Sequence, residues 1–289
     1  MIRSSFHGGH SGEFCCHAKD SLREVLDAYV AAGFTHVAIT EHLPSRPGFL
    51  YPDEEQLGVE VLDRRFQKLM HELRPKLHAD YDSKLQLFIG FETEFCGEEP
   101  LLYLQQMIEQ YQPEVIVGSV HHVNNIPLDV SLELYRKAAA SCGGMEEFFC
   151  RYYDQQHQLI GLLSQYAAAR PVLLGHMDLI KLYASDFVPG PAVWQRILYN
   201  IDAAVKGGLV FDLNARAYKK ALGEPYPGLA ILQAIRAAGG AISLGDDSHG
   251  AGEVGLFAAE ACAFARQIFS SLVVFEKSAA GCRRKELPL

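Results

Sequence analysis

The sequence predicts an α/β chain folded as a single (β/α) barrel, and three observations lead there. Seven short runs are apolar and rich in β-branched residues, as strands buried on both faces are. Longer stretches of helical character separate them, so strand and helix alternate along one chain of 289 residues. No Gly-x-Gly-x-x-Gly follows a strand and no Gly-x-x-x-x-Gly-Lys-Ser/Thr occurs, so the phosphate-cradling turns of nucleotide-binding sheets are missing. An open doubly wound sheet is the second choice.

The elements follow in order. Asp20-Ser21-Leu22 opens a helix with Glu24 close behind; it runs through Leu26, Tyr29 and Val30 and stops at Gly33. The first run spans 35–40, Thr-His-Val-Ala-Ile-Thr. A helix over roughly 54–78 leads to the run at 85–90, and one over 99–111 leads to Val115–Gly118. The segment 130–168 is longer than one crossover helix needs and is expected to be a helical insertion. Runs at 172–175, 209–213, 241–245 and 272–275 alternate with helices over 192–206, 227–238 and 252–269. Residues 1–289 are expected to form one domain.

Composition narrows the function. Apolar residues make up 49% of the chain and charged residues 21%, which excludes a disordered or fibrous protein. The net charge of −9 argues against nucleic acid or an anionic membrane as partner and leaves a small molecule. No apolar run reaches membrane-span length, and residues 1–6 lack the pattern of a signal peptide. Seven cysteines without a Cys-x-x-Cys spacing suit reduced thiols in the cytoplasm. The sequence carries no signal for oligomeric state.

The chemistry concentrates where strands would end. His7 and His10, His17, Glu41-His42, Glu92-Thr93-Glu94, His121-His122, His176-x-Asp178 and Asp246-Asp247-Ser248-His249 are spread over the chain. Most of these groups follow an apolar run. The carboxyl-terminal ends of barrel strands open onto one face, so groups remote in sequence converge there. Imidazoles and carboxylates suit Zn²⁺, Mn²⁺ or Fe²⁺, and so many of them imply more than one ion. His36 begins a run, and His71, His78 and His157 fall in helical segments; these four are expected to be surface or structural residues. Cys15 and Cys16 are expected to pack under the site. No Gly-x-Ser-x-Gly elbow supports serine hydrolysis.

The ordered motifs resemble a known family. His10-Ser11-Gly12-x-Phe14-Cys15 with His17-Ala18-x-Asp20, then Thr40-Glu41-His42-x-Pro44, is similar to the histidinol-phosphate phosphatases of the polymerase and histidinol phosphatase (PHP) superfamily. Gly90-x-Glu92-Thr93-Glu94, Gly118-Ser119-Val120-His121-His122, Gly175-His176-x-Asp178, Asn214, Tyr226-Pro227 and Gly245-Asp246-Asp247-Ser248-His249 continue the likeness in order. The resemblance implies a distorted (β/α)7 barrel with a metal site at the C-terminal ends of its strands. It implies hydrolysis of L-histidinol phosphate to L-histidinol and phosphate in histidine biosynthesis, with two or three divalent ions as cofactors. By the same resemblance Glu92 bridges two ions, His10 and Asp247 complete the first, and His121 and His176 the second. His17, His42 and His249 hold a third. Glu92, Asp247 and Asp178 are the carboxylates expected to serve the reaction. Lys181, Arg216 and Lys219 are the candidates for substrate phosphate.

One position departs from the family pattern. The family opens with His-x-His, and the first of that pair falls on Gly8. In a strand residues two apart share a face, so His7 and His10, three apart, face opposite ways. Gly8-Gly9 permits a bulge that swings His7 inward as a substitute ligand. Without one, the first ion binds weakly or the centre is binuclear. Two other functions therefore stay open: a phosphoesterase for another small phosphate ester, and a metal-binding relative with reduced activity.

Overall fold

The structure is a computed structural model that describes residues 3–184, 186–220, 222–278 and 281–289. The chain opens with β1 (Ser4–Ser5), α1 (Leu22–Ala31) and β2 (His36–His42). Helix α1 starts where the sequence says. Ser21 accepts from the Glu24 amide, and the Glu24 carboxylate accepts from the Ser21 amide at 2.7 Å. A helical rod follows, α2 (Val59–Gln67), a π-helical turn (Lys68–Leu73) and α3 (Arg74–Tyr81), which leads to β3 (Gln86–Glu92). Then come α4 (Pro100–Tyr111), β4 (Ile116–Gly118) and a small hairpin of β5 (His122–Val123) and β6 (Ile126–Pro127). The segment 130–168 holds α5 (Leu132–Ser141) and α6 (Met145–Leu163). It is followed by β7 (Val172–Leu174), α7 (Pro191–Lys206), β8 (Val210–Asn214), α8 (Leu229–Ala237), β9 (Ile242–Gly245), α9 (Ala258–Ala265) and a last hairpin, β10 (Ser271–Ser278) with β11 (Gly281–Pro288).

Seven strands pair in the order β1-β2-β3-β4-β7-β8-β9, all parallel. The two edges meet. The Phe6 amide donates to Leu244 O at 2.9 Å, and the Asp247 amide to His7 O at 2.9 Å, which brings the sheet close to a closed barrel. Alternation then sorts every strand. Val37, Ile39, Leu87, Ile89, Phe91, Ile116, Phe211 and Leu244 face the helices and form the large core. Phe6, Ala38, Phe88, Val117, Leu173 and Val210 point inward and form a small second core. Continuing that inward register, β2 ends on His42, β3 on Glu92 and β8 on Asp212 and Asn214.

The structure differs from the sequence reading at one strand. The run at 272–275 does not enter the barrel. It lies in β10, which pairs antiparallel with β11. Val273, Val274 and Phe275 pack onto the inner core, with the Phe275 ring 5.2 Å from that of Phe6, and Ser243 Oγ donates to Val273 O at 2.8 Å. The hairpin thus covers the barrel interior on the side away from the strand-end polar groups. The seventh barrel strand is β1, two serines with no apolar signal. Among the described residues no helix is long and apolar enough to cross a membrane.

Candidate metal centre

The segment after β1 explains the unusual histidine spacing. A Cβ on Gly8 would lie 1.8 Å from the carbonyl oxygen of Ala38, and one on Gly9 would lie 2.5 Å from Val25 Cγ1. The chain passes between the backbone of β2 and helix α1 where no side chain fits. The pairing with β2 stops at Ser5, so the period of two does not carry on to His7 and His10. Both imidazoles are fully buried and enter the same site.

Glu92 lies at its middle. Oε1 is 2.9 Å from His176 Nε2 and 3.3 Å from His121 Nε2. Oε2 is 3.2 Å from His7 Nε2, 3.5 Å from His42 Nδ1 and 3.7 Å from His10 Nε2. Asp247 Oδ1 is 3.5 Å from both His10 Nε2 and His249 Nδ1. Asp247 has a φ of +46°, a left-handed conformation.

These atoms suit cations better than they suit one another. His7 Nε2, both nitrogens of His10 and of His42, and His121 Nδ1 are buried without a hydrogen-bond partner. A buried polar atom left unpaired is costly, and several in one place indicate a ligand. Donor atoms on one tetrahedral zinc stand about 3.3 Å apart, given Zn–N bonds near 2.0–2.1 Å. The 3.2–3.7 Å separations around Glu92 Oε2 match that spacing. Four groups bring their donor atoms within 4.8 Å: His7, His10 and Asp247; His7, Glu92 and His176; His42, Glu94 and His121; His10, Cys15, His42 and His249.

The electrostatics are strongly coupled. Burial opposes charge on His7, but Glu92, Asp212 and Asp247 outweigh it and hold its pKa well above the usual imidazole value. Burial and then the imidazoles of His249 and His42 push His10 well down. Burial disfavours the Glu92 carboxylate, yet His7 and His121 keep it well below the usual range. The imidazoles therefore cannot all carry protons at once, although the buried carboxylates require positive charge nearby.

Other sequence candidates are placed as follows. His17 is less buried, its Nδ1 3.4 Å from Asp53, and its ring stacks on that of His249 at 4.9 Å. Arg216 lines the cavity above the cluster and donates to Asp247 O at 2.7 Å. Lys181 does not line it; its Nζ is 2.9 Å from both Asp178 and Glu224. Lys219 is turned to Glu253, while Lys220 lines the cavity. Asp178 also lies outside the lining and accepts from the Gly228 amide at 3.0 Å.

One carboxylate, Asp212, escaped the sequence reading of the site, and Glu94 and Cys15, both noticed there, do more than was expected of them. Asp212 interrupts an apolar strand, which is a readable signal; its carboxylate is 2.7 Å from His7 Nδ1 and orients that ring. Glu94 lies 2.7 Å from His42 Nδ1 and 3.2 Å from His121 Nδ1. Cys15 does more than pack beneath the site. Burial alone would raise its thiol, but the neighbouring His17 and His42 imidazoles bring it down to about 6.

The four histidines set aside in the sequence lie elsewhere. His36 Nε2 is 3.7 Å from Glu276, His71 packs on Tyr111, and His157 Nδ1 is 3.0 Å from Asn200 Oδ1. His78 bridges Asp82 at 2.9 Å and Glu114 at 3.0 Å. Burial opposes its charge, but hydrogen bonds to Glu114 and Asp82 outweigh that and raise its pKa above 6.5. The stabilisation is therefore complete below the unfolded-state value and is lost as pH rises through the higher folded value. Solvent screening keeps it under about 1 kcal/mol. Urea midpoints should fall between about pH 6 and about pH 9 by more in the parent than in His78→Gln. An identical pH slope in both would remove this role.

The PHP domain family matches residues 8–216. A Schizosaccharomyces pombe protein assigned as a histidinol-phosphatase is 37% identical over 254 residues, covering 86% of this chain and 81% of that one. The HisK protein of Listeria monocytogenes has a similar fold, with a TM-score of 0.74 at 21% identity over 89% of this chain and 99% of that one. The histidinol phosphate phosphatase of Lactococcus lactis, solved with zinc, L-histidinol and phosphate, superposes with a TM-score of 0.64 at 18% identity over 94% of this chain and 96% of that one. The chain belongs to the PHP domain family, alongside the histidinol-phosphatases.

Proposed function

We propose that this chain is a metal-dependent phosphomonoesterase that converts L-histidinol phosphate to L-histidinol and phosphate. One observation carries the reading: buried imidazoles and carboxylates from six barrel strand ends meet beneath a cavity of about 460 Å³ that Arg216 and Lys220 also line. Such a cavity suits a small phosphate ester. The net charge of −9 and the seven unpaired cysteines support a small-molecule enzyme of the reducing cytoplasm.

In this reading His7, His10, His42, His121, His176, Glu92, Asp247 and His249 hold two or three ions of Zn²⁺, Mn²⁺ or Fe²⁺, with His17 at the edge. When bound, such ions polarise phosphoryl oxygens and acidify water. The protein supplies the rest. Asp212 fixes the His7 ring through Nδ1, so that Nε2 turns to Glu92. Arg216, which also pairs with Glu253 at 3.1 Å, and Lys220 line the cavity and add positive charge toward the phosphate, whereas Lys181 and Lys219 lie off it. Asp246 accepts from Ser5 Oγ at 2.6 Å and Tyr29 at 2.7 Å and positions the loop that carries Asp247. Asp178 lies outside the cavity, where it pairs with Lys181 and accepts from the Gly228 amide. As a water oxygen bonds to phosphorus, the phosphorus–oxygen bond to histidinol breaks and the alcohol oxygen takes up a proton.

His7 favours a complete centre over a degenerate one, because its imidazole stands beside Glu92 although position 8 is glycine. The test is direct. Chelation should abolish phosphate release from histidinol phosphate, and reloading with Zn²⁺, Mn²⁺ or Fe²⁺ should restore it. Histidinol phosphate should also be preferred to 4-nitrophenyl phosphate. Equal use of the two esters would assign the centre to another substrate, and turnover unaffected by chelation would remove the metal.

A further inference from the structure

The cavity contains a carboxylate that the metal centre does not use. Four acids line it: Asp53, Glu92, Asp129 and Asp247. Three stand beside imidazoles, Asp53 with His17 at 3.4 Å, Glu92 with His176 at 2.9 Å, and Asp247 with His10 at 3.5 Å. Asp129 forms no ion pair with a Lys, Arg or His side chain among the described residues, although the His122 imidazole lies within its electrostatic reach. Its Oδ1 is shielded from solvent and accepts no hydrogen bond. An unpaired, desolvated carboxylate oxygen opposes folding unless it serves a ligand.

Local structure holds Asp129 in place. The Leu128 amide donates to His121 O at 2.9 Å and ties this turn to the strand end that carries a central imidazole. Two residues on, Ser131 caps α5 by accepting from the Leu134 amide at 3.2 Å. The Tyr183 hydroxyl donates to Asp129 O at 3.4 Å, and the Tyr135 hydroxyl to Ile180 O at 2.7 Å. The backbone on both sides is thus pinned, and the carboxylate shares the cavity wall with Tyr51, Tyr226 and Leu179.

Resting on the phosphatase reading, we propose that Asp129 receives the protonated amine of the leaving alcohol and selects cationic amino-alcohol phosphates over neutral esters. The cavity then reads both ends of its substrate: Arg216 and Lys220 serve the phosphate, and Asp129 the ammonium, with aromatic and aliphatic walls beside it for the rest of the alcohol.

The experiment compares the parent, Asp129→Asn and Asp129→Glu on histidinol phosphate and on N-acetyl-histidinol phosphate, which keeps the imidazole and loses the ammonium. In the parent, acetylation should lower kcat/KM by about 10- to 100-fold, the weight of one hydrogen bond to a charged group. In Asp129→Asn that ratio should collapse toward one, mainly through KM for histidinol phosphate, and Asp129→Glu should recover part of it. Bound metal and melting temperature serve as folding controls. Equal losses on both esters in Asp129→Asn would make Asp129 merely structural and overturn the proposal. So would an unchanged ratio, or a parent indifferent to acetylation, which would assign the carboxylate to the imidazole or to nothing. Failure of the underlying reading has its own signature: the parent would not hydrolyse histidinol phosphate at all.

Discussion

Glu92→Gln is expected to lower turnover by about 10³-fold or more and to reduce bound metal, with the fold intact. The carboxylate uses both oxygens. Oε1 faces His121 and His176, and Oε2 faces His7, His10 and His42. Glutamine has the same shape but turns one of those oxygens into an NH₂ donor, which cannot ligate a cation. It also removes the buried negative charge that balances the surrounding imidazoles and any bound ions. Circular dichroism should report native helix content, and metal analysis should show fewer ions per chain than in the parent. Full metal with normal turnover would remove Glu92 from the mechanism.

Adding a side chain at Gly8 is expected to destabilise the protein more than losing the neighbouring histidine does. The Cβ of Gly8→Ala would lie 1.8 Å from Ala38 O and 3.0 Å from Ala38 C, in the middle of strand β2. Strand backbone held in register with β3 cannot retreat as a side chain can, so the cost is about 3 kcal/mol or more. That corresponds to a fall of about 10 °C in melting temperature for a domain of this size. Gly8→His should do no better, although it recreates the family's His-x-His. His7→Ala should instead give folded protein with less metal. A stable Gly8→His variant with higher activity would return the missing histidine to position 8 and make the centre a degenerate one.

Much of the site was legible because strand periodicity carries across long separations. His42 and Glu92 end apolar runs on the inward register, and reading those runs as barrel strands brings the two together. The His7–His10 pair was harder. The two-residue rule assumes extended, paired backbone, and here pairing stops at Ser5. The inserted glycine path is set by Ala38 and Val25, which no local pattern reveals. Of the three basic candidates Arg216 lines the cavity, and the two lysines lie off it for a similar reason. Lys181 and Lys219 look available in sequence, but Glu224, Asp178 and Glu253 hold them, and Lys220 reaches the cavity instead. The run at 272–275 was misplaced because burial under a barrel and burial within one demand the same apolar composition.

Chain order and alternation alone indicate which donor types stand at which strand ends, a set of imidazoles and carboxylates on one face that suits cations. Barrel closure decides the remainder: which strand completes the ring, how His7 turns inward, and which cavity acid, Asp129, forms no ion pair among the described residues. Those outcomes depend on atoms brought within a few ångströms from distant parts of the chain, and one-dimensional spacing does not encode such neighbours.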